Sequence, residues 1–449
     1  MSAAQPVRYP DKRSRPLMTK RGRWLVALNI LVPGSAQVLA GDRRLGRFGL
    51  ATTLVLWGLV VLGVVLALAA RGVLIAIVTS PLGLGALVVV TLFYAGVWTV
   101  LTLDTLRLVR LVNVAPNARP LIAGASILVL VATLGGAGFV VSRSVSAMGL
   151  LDAVFSDGQI AEPIDGRYNI LLLGGDAGPD RLGLRPDSIS VVSVDAVTGS
   201  TVVLGVPRNL ERAPFVEGSP LWGPFPDGYS CGVDCLISYL YTYAEENPDL
   251  YPDAVEQGSR PGIEAMRDAV EGVLGLTLQY YVIIDMQGFV QLIDALGGID
   301  IDVAQRVPIE GGQDSAGRPT DVAGWIEPGF QHLDGYHALW YARARHGTND
   351  YDRMNRQRDV QEAVLRQADP ANVLLRFNEI AASGAQIVGT DIPSPMLAHF
   401  VELAAAAKEQ PLVRHDFVPP EVDVEDPDFD AIRAQVDVLT APVTPSPQP

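Results

Sequence analysis

The sequence predicts a membrane-anchored α/β protein, in which an apolar helical region precedes a layered domain of strands and helices. Three observations carry this expectation. Residues 48–70, 72–103 and 120–142 are almost wholly apolar and, apart from Arg71 between the first two, lie clear of charged residues. Charge divides at the same place: residues 1–142 hold 14 Lys and Arg against 3 Asp and Glu, whereas residues 143–449 hold 20 against 46. Beyond residue 166, short β-branched runs alternate with segments of helical periodicity, the pattern of α/β layers.

A helix needs ~20 apolar residues to cross a bilayer. Segments 48–70 and 120–142 meet that length, and Ser80-Pro81 divides the long middle stretch to leave a span at about 82–103. Segment 24–40 is short and interrupted by Pro33-Gly34 and Gln37, so a re-entrant or interfacial placement is expected. The basic arm 1–23, with Lys12, Arg13, Arg15, Lys20, Arg21 and Arg23, should be cytoplasmic by the positive-inside rule, as should the loops holding Arg43, Arg44 and Arg47, and Arg107, Arg110 and Arg119. Three crossings that start inside end outside, which predicts a multi-pass cell-membrane protein with its acidic domain extracytoplasmic. A cleaved signal peptide is not expected, because the charged arm is long and several spans follow. Residues 143–166 read as a linker and 436–449 as a disordered tail.

YNILLLGG (168–175) is a continuous apolar run ending in glycines, as a buried strand entering a functional loop reads. SISVVSVD and STVVLGVP, joined by AVTG, read as a hairpin or adjacent strands. Residues 209–262 read as an irregular cap with one helix near 234–246. Helix, strand, helix and strand follow at 262–276, 278–286, 287–298 and 299–303. Residues 335–345, 353–368 and about 396–408 read as helices. Cys231 and Cys235 are the only cysteines, and outside the membrane their spacing predicts a disulfide closing a short loop.

Arginines concentrate in GYHALWYARARHGTNDYDRMNRQR (335–358) although the domain is acidic. Guanidinium groups gathered in that way need carboxylate partners or an anion, and Arg captures phosphate in planar, bidentate fashion. Arg343 and Arg345 reach one ligand only if their helix ends there, as His346-Gly347 predicts; Arg353 and Arg356 share a helix face. Gln357 can bond a backbone group and position its helix. Upstream, Asp176 in GGDAGPD and Asp187 in RPDS offer carboxylates for a hard cation, which typically takes one or two carboxylates plus phosphate oxygens. Arg208 follows a strand end in VPRN. GGDAGPD lacks the GK[ST] of a nucleotide-binding P-loop. Nucleic acid is excluded as a partner because the acidic domain would repel it.

Six co-linear segments, YNILLLGGD, LRPDSISVVSVD, VLGVPRN, YYVIIDMQGFVQLIDALGGIDIDV, GFQHLDGYHALWYARAR and DYDRMNRQRDV, resemble the LytR-CpsA-Psr family over roughly residues 167–370. The PFPDGYSCGVDCL insertion and the scarcity of Lys are similar to its actinobacterial branch. The resemblance implies a central mixed β-sheet sandwiched by helices, here within a catalytic domain at 167–420, with an apolar channel for a polyprenyl chain. It implies a phosphotransferase that moves a glycopolymer from a polyprenyl diphosphate carrier to peptidoglycan through a phosphodiester bond, with membrane lipid as a further partner. By the same resemblance Asp176 and Asp187 hold Mg²⁺ or Mn²⁺, and Arg185, Arg208, Arg343, Arg345, Arg353, Arg356 and Gln357 bind the diphosphate. Asp187, Arg208, Arg343 and Arg345 are the expected catalytic set, with Asp187 orienting or deprotonating the attacking hydroxyl. Asn209 stands where the family usually has Asp, and the three spans exceed its usual single anchor. A polyprenyl-diphosphate hydrolase and a non-catalytic envelope regulator are the alternative functions.

Overall fold

The computed structural model describes residues 7–70, 73–74, 77, 80–154, 160–176, 185–231, 236–314, 318–345, 348–367 and 388–441. It divides into two compact units, Met1–Gly149 and Leu150–Pro449.

The first unit is helical: α1 (Arg15–Leu31), α2 (Ser35–Ala40), α3 (Arg43–Ala69), α4 (Pro81–Val109) and α5 (Arg119–Val154). Three helical stretches, Arg43–Ala69, Leu82–Asn113 and Pro116–Gly149, are long and apolar enough to cross a membrane. The expected interruption at 33–34 is real, and it separates α1 from α2. Gly34 adopts φ +96°, and a Cβ there would lie 2.5 Å from the backbone nitrogen of Leu50. Gln37, wholly buried, donates to the Leu101 carbonyl at 2.8 Å and to Thr105 at 3.0 Å. Asn29 donates to Thr102 at 3.0 Å. In an apolar bundle these groups need protein partners, because no water is there to satisfy them.

Two expected boundaries move. Helix α1 begins at Arg15, so the end of the basic arm is helical, and Arg21 is buried, donating to the Leu108 carbonyl at 2.7 Å. Helix α5 runs to Val154, so the linker expected from 143 is helical in its first half. Loss of hydropathy marks where a helix leaves the bilayer, not where its hydrogen bonding stops.

The second unit is built on a six-stranded mixed sheet of order β11-β4-β1-β2-β3-β12. Its strands are β1 (Arg167–Asp176), β2 (Arg185–Asp195), β3 (Thr201–Val206), β4 (Tyr280–Asp285), β11 (Val388–Thr390) and β12 (Leu412–Asp416). β1 lies parallel to β4 and antiparallel to β2, which makes the sheet mixed as expected. β2 and β3 form the expected hairpin, whose turn is fixed by Asp195 accepting from the backbone N–H groups of Val197 and Thr198. Smaller two-stranded sheets pair β5 (Ile299–Val303) with β10 (Gly329–Leu333), β6 (Val307–Ile309) with β9 (Gly324–Ile326), and β7 (Gly312–Gln313) with β8 (Pro319–Thr320).

Alternation along each strand assigns the two faces of the large sheet. Leu171, Leu173, Ile189, Val191, Val202 and Leu204 point into the main core with α6 (Tyr239–Glu246), α7 (Pro261–Leu274) and α12 (Phe429–Thr440). Their neighbours Leu172, Val192, Val203, Val282 and Ile284 point the other way, toward α8 (Met286–Leu296), α9 (Gly335–Arg343) and α10 (Asp350–Gln367). This double burial explains why YNILLLGG reads as an unbroken apolar run. Helix α11 (Leu397–Lys408) adds Leu403 to a third cluster with Tyr168 and Tyr280.

Residues 436–440, expected to open a disordered tail, are helical. Ile432 and Val436, four apart on one face of α12, are buried in the main core, and Asp428 caps the helix by accepting from the Ala431 N–H at 3.0 Å. The folded domain therefore extends past residue 420.

Candidate functional site

The β2–β3 hairpin sets the first half of the site. Asp187 stands two residues into β2, and Arg208 lies two residues past the end of β3. Arg208 donates from Nη1 to Asp187 Oδ1 at 2.7 Å and from Nε to Asp350 Oδ2 at 3.2 Å. The second half comes from α9 and α10. Helix α9 ends at Arg343, as the use of both arginines required, which releases Arg345 from helical geometry. Arg345 Nη2 lies 3.6 Å from Asp187 Oδ2, and its Nη1 lies 3.9 Å from Asp350 Oδ1. Arg353, one turn into α10, donates to Asp350 Oδ2 at 3.0 Å and approaches Asp187 Oδ2 at 3.9 Å.

These charges are partly withdrawn from water, and the Arg353 side chain is only 3% exposed. Burial pushes the Asp187 carboxyl up, but Arg208, Arg353 and Arg345 outweigh it and hold the group below its ordinary value. Burial lowers Arg208, yet Asp187 and Asp350 more than compensate and its pKa rises. Arg353 is pushed down to about 10, chiefly by burial, so it remains charged at neutral pH. Its Nε is buried with no hydrogen-bond partner, an unmet donor in the wall of a cavity.

That cavity has a volume of about 560 Å³ and lies between the second face of the sheet and helices α8 and α10. Its apolar wall includes Leu172, Val192, Val282, Phe289, Leu292 and Val364; Asp187, Arg343, Arg345, Arg353 and Gln357 supply polar and charged groups. Arg343 also places its guanidinium 5.3 Å from the Trp340 ring centroid. Asp285, another carboxylate on the wall, caps α8 by accepting from the Gly288 N–H at 2.8 Å. β1 reaches the site through a bulge between Gly174 and Gly175, a device that re-aims chain ends near functional groups.

Not every expected residue joins this cluster. Arg356 turns away from the cavity and donates to the carbonyls of Tyr341 and Ala344, fixing the end of α9 that carries Arg343 and Arg345. In this arrangement Arg356 serves a backbone role, because buried carbonyls at a helix C-terminus need donors. Gln357 makes the expected backbone contact, donating to the Ala342 carbonyl at 3.4 Å, and also lines the cavity. Arg185 is exposed, lies 5.1 Å over the Tyr239 ring and is absent from the cavity wall. Arg358, also in the arginine-rich stretch, is a structural pin: 1% exposed, it bonds Asp416 at 2.8 Å and Gln361 at 2.6 Å. The Asp176 side chain, Cys235 and His346 lie outside the described residues; Cys231 is disulfide-bonded.

Sequence reasoning missed Asp350. The signal was present, since an acidic residue three positions before Arg353 at a helix start is placed to pair with it. Among the described residues no group of three or more His, Cys, Asp or Glu is gathered. The donor chemistry still suits a hard cation, because Asp187 is held ionised and Asp350 Oδ1 is buried without a hydrogen bond. Three arginines around Asp187 oppose a lone cation, so the fit requires the negative charge of a phosphate ligand as well.

Fold and site together define a membrane-anchored α/β domain whose apolar cavity is headed by arginines. The chain matches the LytR_cpsA_psr family model over residues 155–418 and belongs to that family. It is 27% identical over 227 residues to the polyisoprenyl-teichoic acid–peptidoglycan teichoic acid transferase TagU of Halalkalibacterium halodurans, covering 50% of this chain and 61% of that protein. It is 26% identical over 302 residues to the cell wall biosynthesis protein LcpA of Corynebacterium glutamicum, covering 60% of this chain and 52% of that protein. The crystal structure of Bacillus subtilis TagV superposes with a TM-score of 0.42 at 20% identity, covering 63% of this chain and all of that one. The chain thus spans about half to three fifths of the length of these two curated relatives.

Proposed function

We propose that this protein is a phosphotransferase that moves a glycopolymer from a polyprenyl diphosphate carrier to a peptidoglycan hydroxyl, forming a phosphodiester bond. The observation that carries the reading is the apolar cavity with Arg343, Arg345 and Arg353 in its wall, the last with an unmet buried donor. An amphiphile with a long hydrocarbon tail and a multiply charged head fits such a site. The name of the Halalkalibacterium halodurans relative, a transferase from a polyisoprenyl carrier to peptidoglycan, supports the same chemistry.

In this reading the acceptor oxygen attacks the phosphorus that carries the sugar. The bond from that phosphorus to the bridging oxygen breaks, polyprenyl monophosphate leaves, and the proton of the acceptor hydroxyl passes to the departing phosphate or to solvent. Phosphoryl transfer asks a protein mainly to position groups and neutralise charge. Arg208, Arg343, Arg345 and Arg353 do this from fixed places. Asp187 orients its neighbours and is a weak proton acceptor, since Arg208, Arg353 and Arg345 stabilise its ionised form. Asp187 with Asp176 would hold Mg²⁺ or Mn²⁺, which when bound supplies further neutralisation of phosphate charge. The three apolar helices would each cross the cell membrane, with the N-terminus cytoplasmic and the catalytic domain outside; reporter fusions at each loop test that topology.

The decisive assay uses the full-length protein in nanodiscs with a labelled polyprenyl-diphosphate sugar, with and without peptidoglycan. Label appearing on peptidoglycan is the expected result. Polyprenyl monophosphate released equally without acceptor would make the protein a hydrolase, and no turnover would make it a regulator.

A further inference from the structure

Asp350 has a role that neither helix capping nor surface solvation accounts for. It opens α10, where an acidic residue favours the helix dipole. That need is met by others: Asn349 Oδ1 accepts from the Asp352 N–H at 2.8 Å, and Asp352 returns a carboxylate to the Asn349 N–H at 3.3 Å. The Asp350 side chain turns instead to the arginines. One oxygen, Oδ2, accepts from both Arg208 Nε at 3.2 Å and Arg353 Nη2 at 3.0 Å, joining segments 142 positions apart. The other, Oδ1, makes no hydrogen bond, is shut off from water and stands 3.9 Å from Arg345 Nη1.

We infer that Asp350 is a positioning residue that aims Arg208, Arg345 and Arg353 at the phosphoryl group, acting as their internal counter-anion while the headgroup is absent. The inference rests on the transfer reading above. Arg353 is 3% exposed, and its close hydrogen-bonded carboxylate is Asp350, because Asp187 stands off at 3.9 Å. A buried guanidinium without a fixed partner loses its direction, and a misplacement of about 1 Å costs on the order of 10²-fold in rate. Neutralising Asp350 also leaves the cluster one unit more positive, which favours ground-state capture of an anion. Binding and turnover should therefore move apart.

The test compares Asp350→Asn with wild type in nanodiscs, measuring calorimetric affinity for octaprenyl diphosphate and the transfer rate with a glycan-bearing donor. The expected result is affinity equal to or tighter than wild type with kcat lowered by roughly 10²-fold. Unchanged kcat overturns the inference. So does a parallel loss of affinity and turnover, which a merely structural residue would give. Should Asp350→Asn fail to fold, Asp350→Glu carries the test: retained affinity with turnover slowed roughly 10-fold supports the inference, and wild-type turnover overturns it. Wild-type protein that does not bind octaprenyl diphosphate at all would instead sink the transfer reading itself.

Discussion

Arg208 and Asp187 meet at 2.7 Å because the hairpin register brings them there. Ile189 pairs with Val206 in the β2–β3 ladder, and the same register continued by two residues sets Asp187 opposite Arg208. The charged pair extends a sheet ladder, so its geometry is as rigid as the hairpin. Arg208→Ala should lower transfer by about 10²–10³-fold, the usual loss for one charge-stabilising donor. Arg208→Lys should recover little, since an ammonium lacks the fork that reaches Asp187 and Asp350 together. Steady-state transfer rates check both.

The Asp187 pair also predicts a pH dependence. The folded-state pKa of Asp187 lies below the unfolded value of about 3.9, so its stabilisation is full above that value. It is lost as pH falls through the folded pKa. Urea midpoints for wild type and Asp187→Asn should differ at pH 7, and the difference should close as the pH drops below about 3.9.

Metal binding should depend on the diphosphate. Arg208, Arg345 and Arg353 lie 2.7, 3.6 and 3.9 Å from Asp187, so a divalent cation arriving alone meets net repulsion. Titration with Mn²⁺ followed by electron paramagnetic resonance should show weak binding to the ligand-free protein. Adding octaprenyl diphosphate should tighten it by at least about 10-fold, the effect of ~1.4 kcal/mol of coupling. Equal affinity in both states contradicts this.

Filling the cavity should discriminate by tail length. Leu292 lies on its wall, and Leu292→Trp would occupy space that a polyprenyl chain needs. Affinity for long-chain diphosphates should fall about 10-fold or more, with shorter chains losing less, at a stability cost within ~1–3 kcal/mol. A chain-length series in a calorimeter reads this directly.

The Arg358–Asp416 pair should matter for stability rather than chemistry. Arg358 is 1% exposed, and Gly205 leaves room for the pair, because a Cβ there would lie 1.7 Å from Asp416 Oδ1 and displace it. Asp416→Ala leaves a buried guanidinium unpaired and should cost ~3–5 kcal/mol in denaturant unfolding. Affinity for the lipid diphosphate should change little in the fraction that remains folded.

What could be read from the chain alone follows from local physics. Runs without charge gave the three apolar helices, and strand periodicity with turn residues gave the hairpin; the register that pairs Asp187 with Arg208 came from the structure. A helix end close to Arg345 and the backbone contact of Gln357 were equally visible, because breakers and amide donors act on near neighbours; the helix stops two residues sooner, at Arg343. Boundaries failed where hydropathy was taken for hydrogen bonding, in α5 beyond residue 142 and in α12 beyond residue 436.

Only tertiary structure divided the arginines. Arg353 and Arg356 lie three apart on one helix, yet one faces the cavity and the other closes the end of α9. Asp350 gained its meaning from Arg208, 142 positions away. Residue type and spacing determine which side chains can capture a phosphate. Which of them do so depends on the competing carbonyls and carboxylates that packing places within reach, and those come from parts of the chain that no local pattern connects.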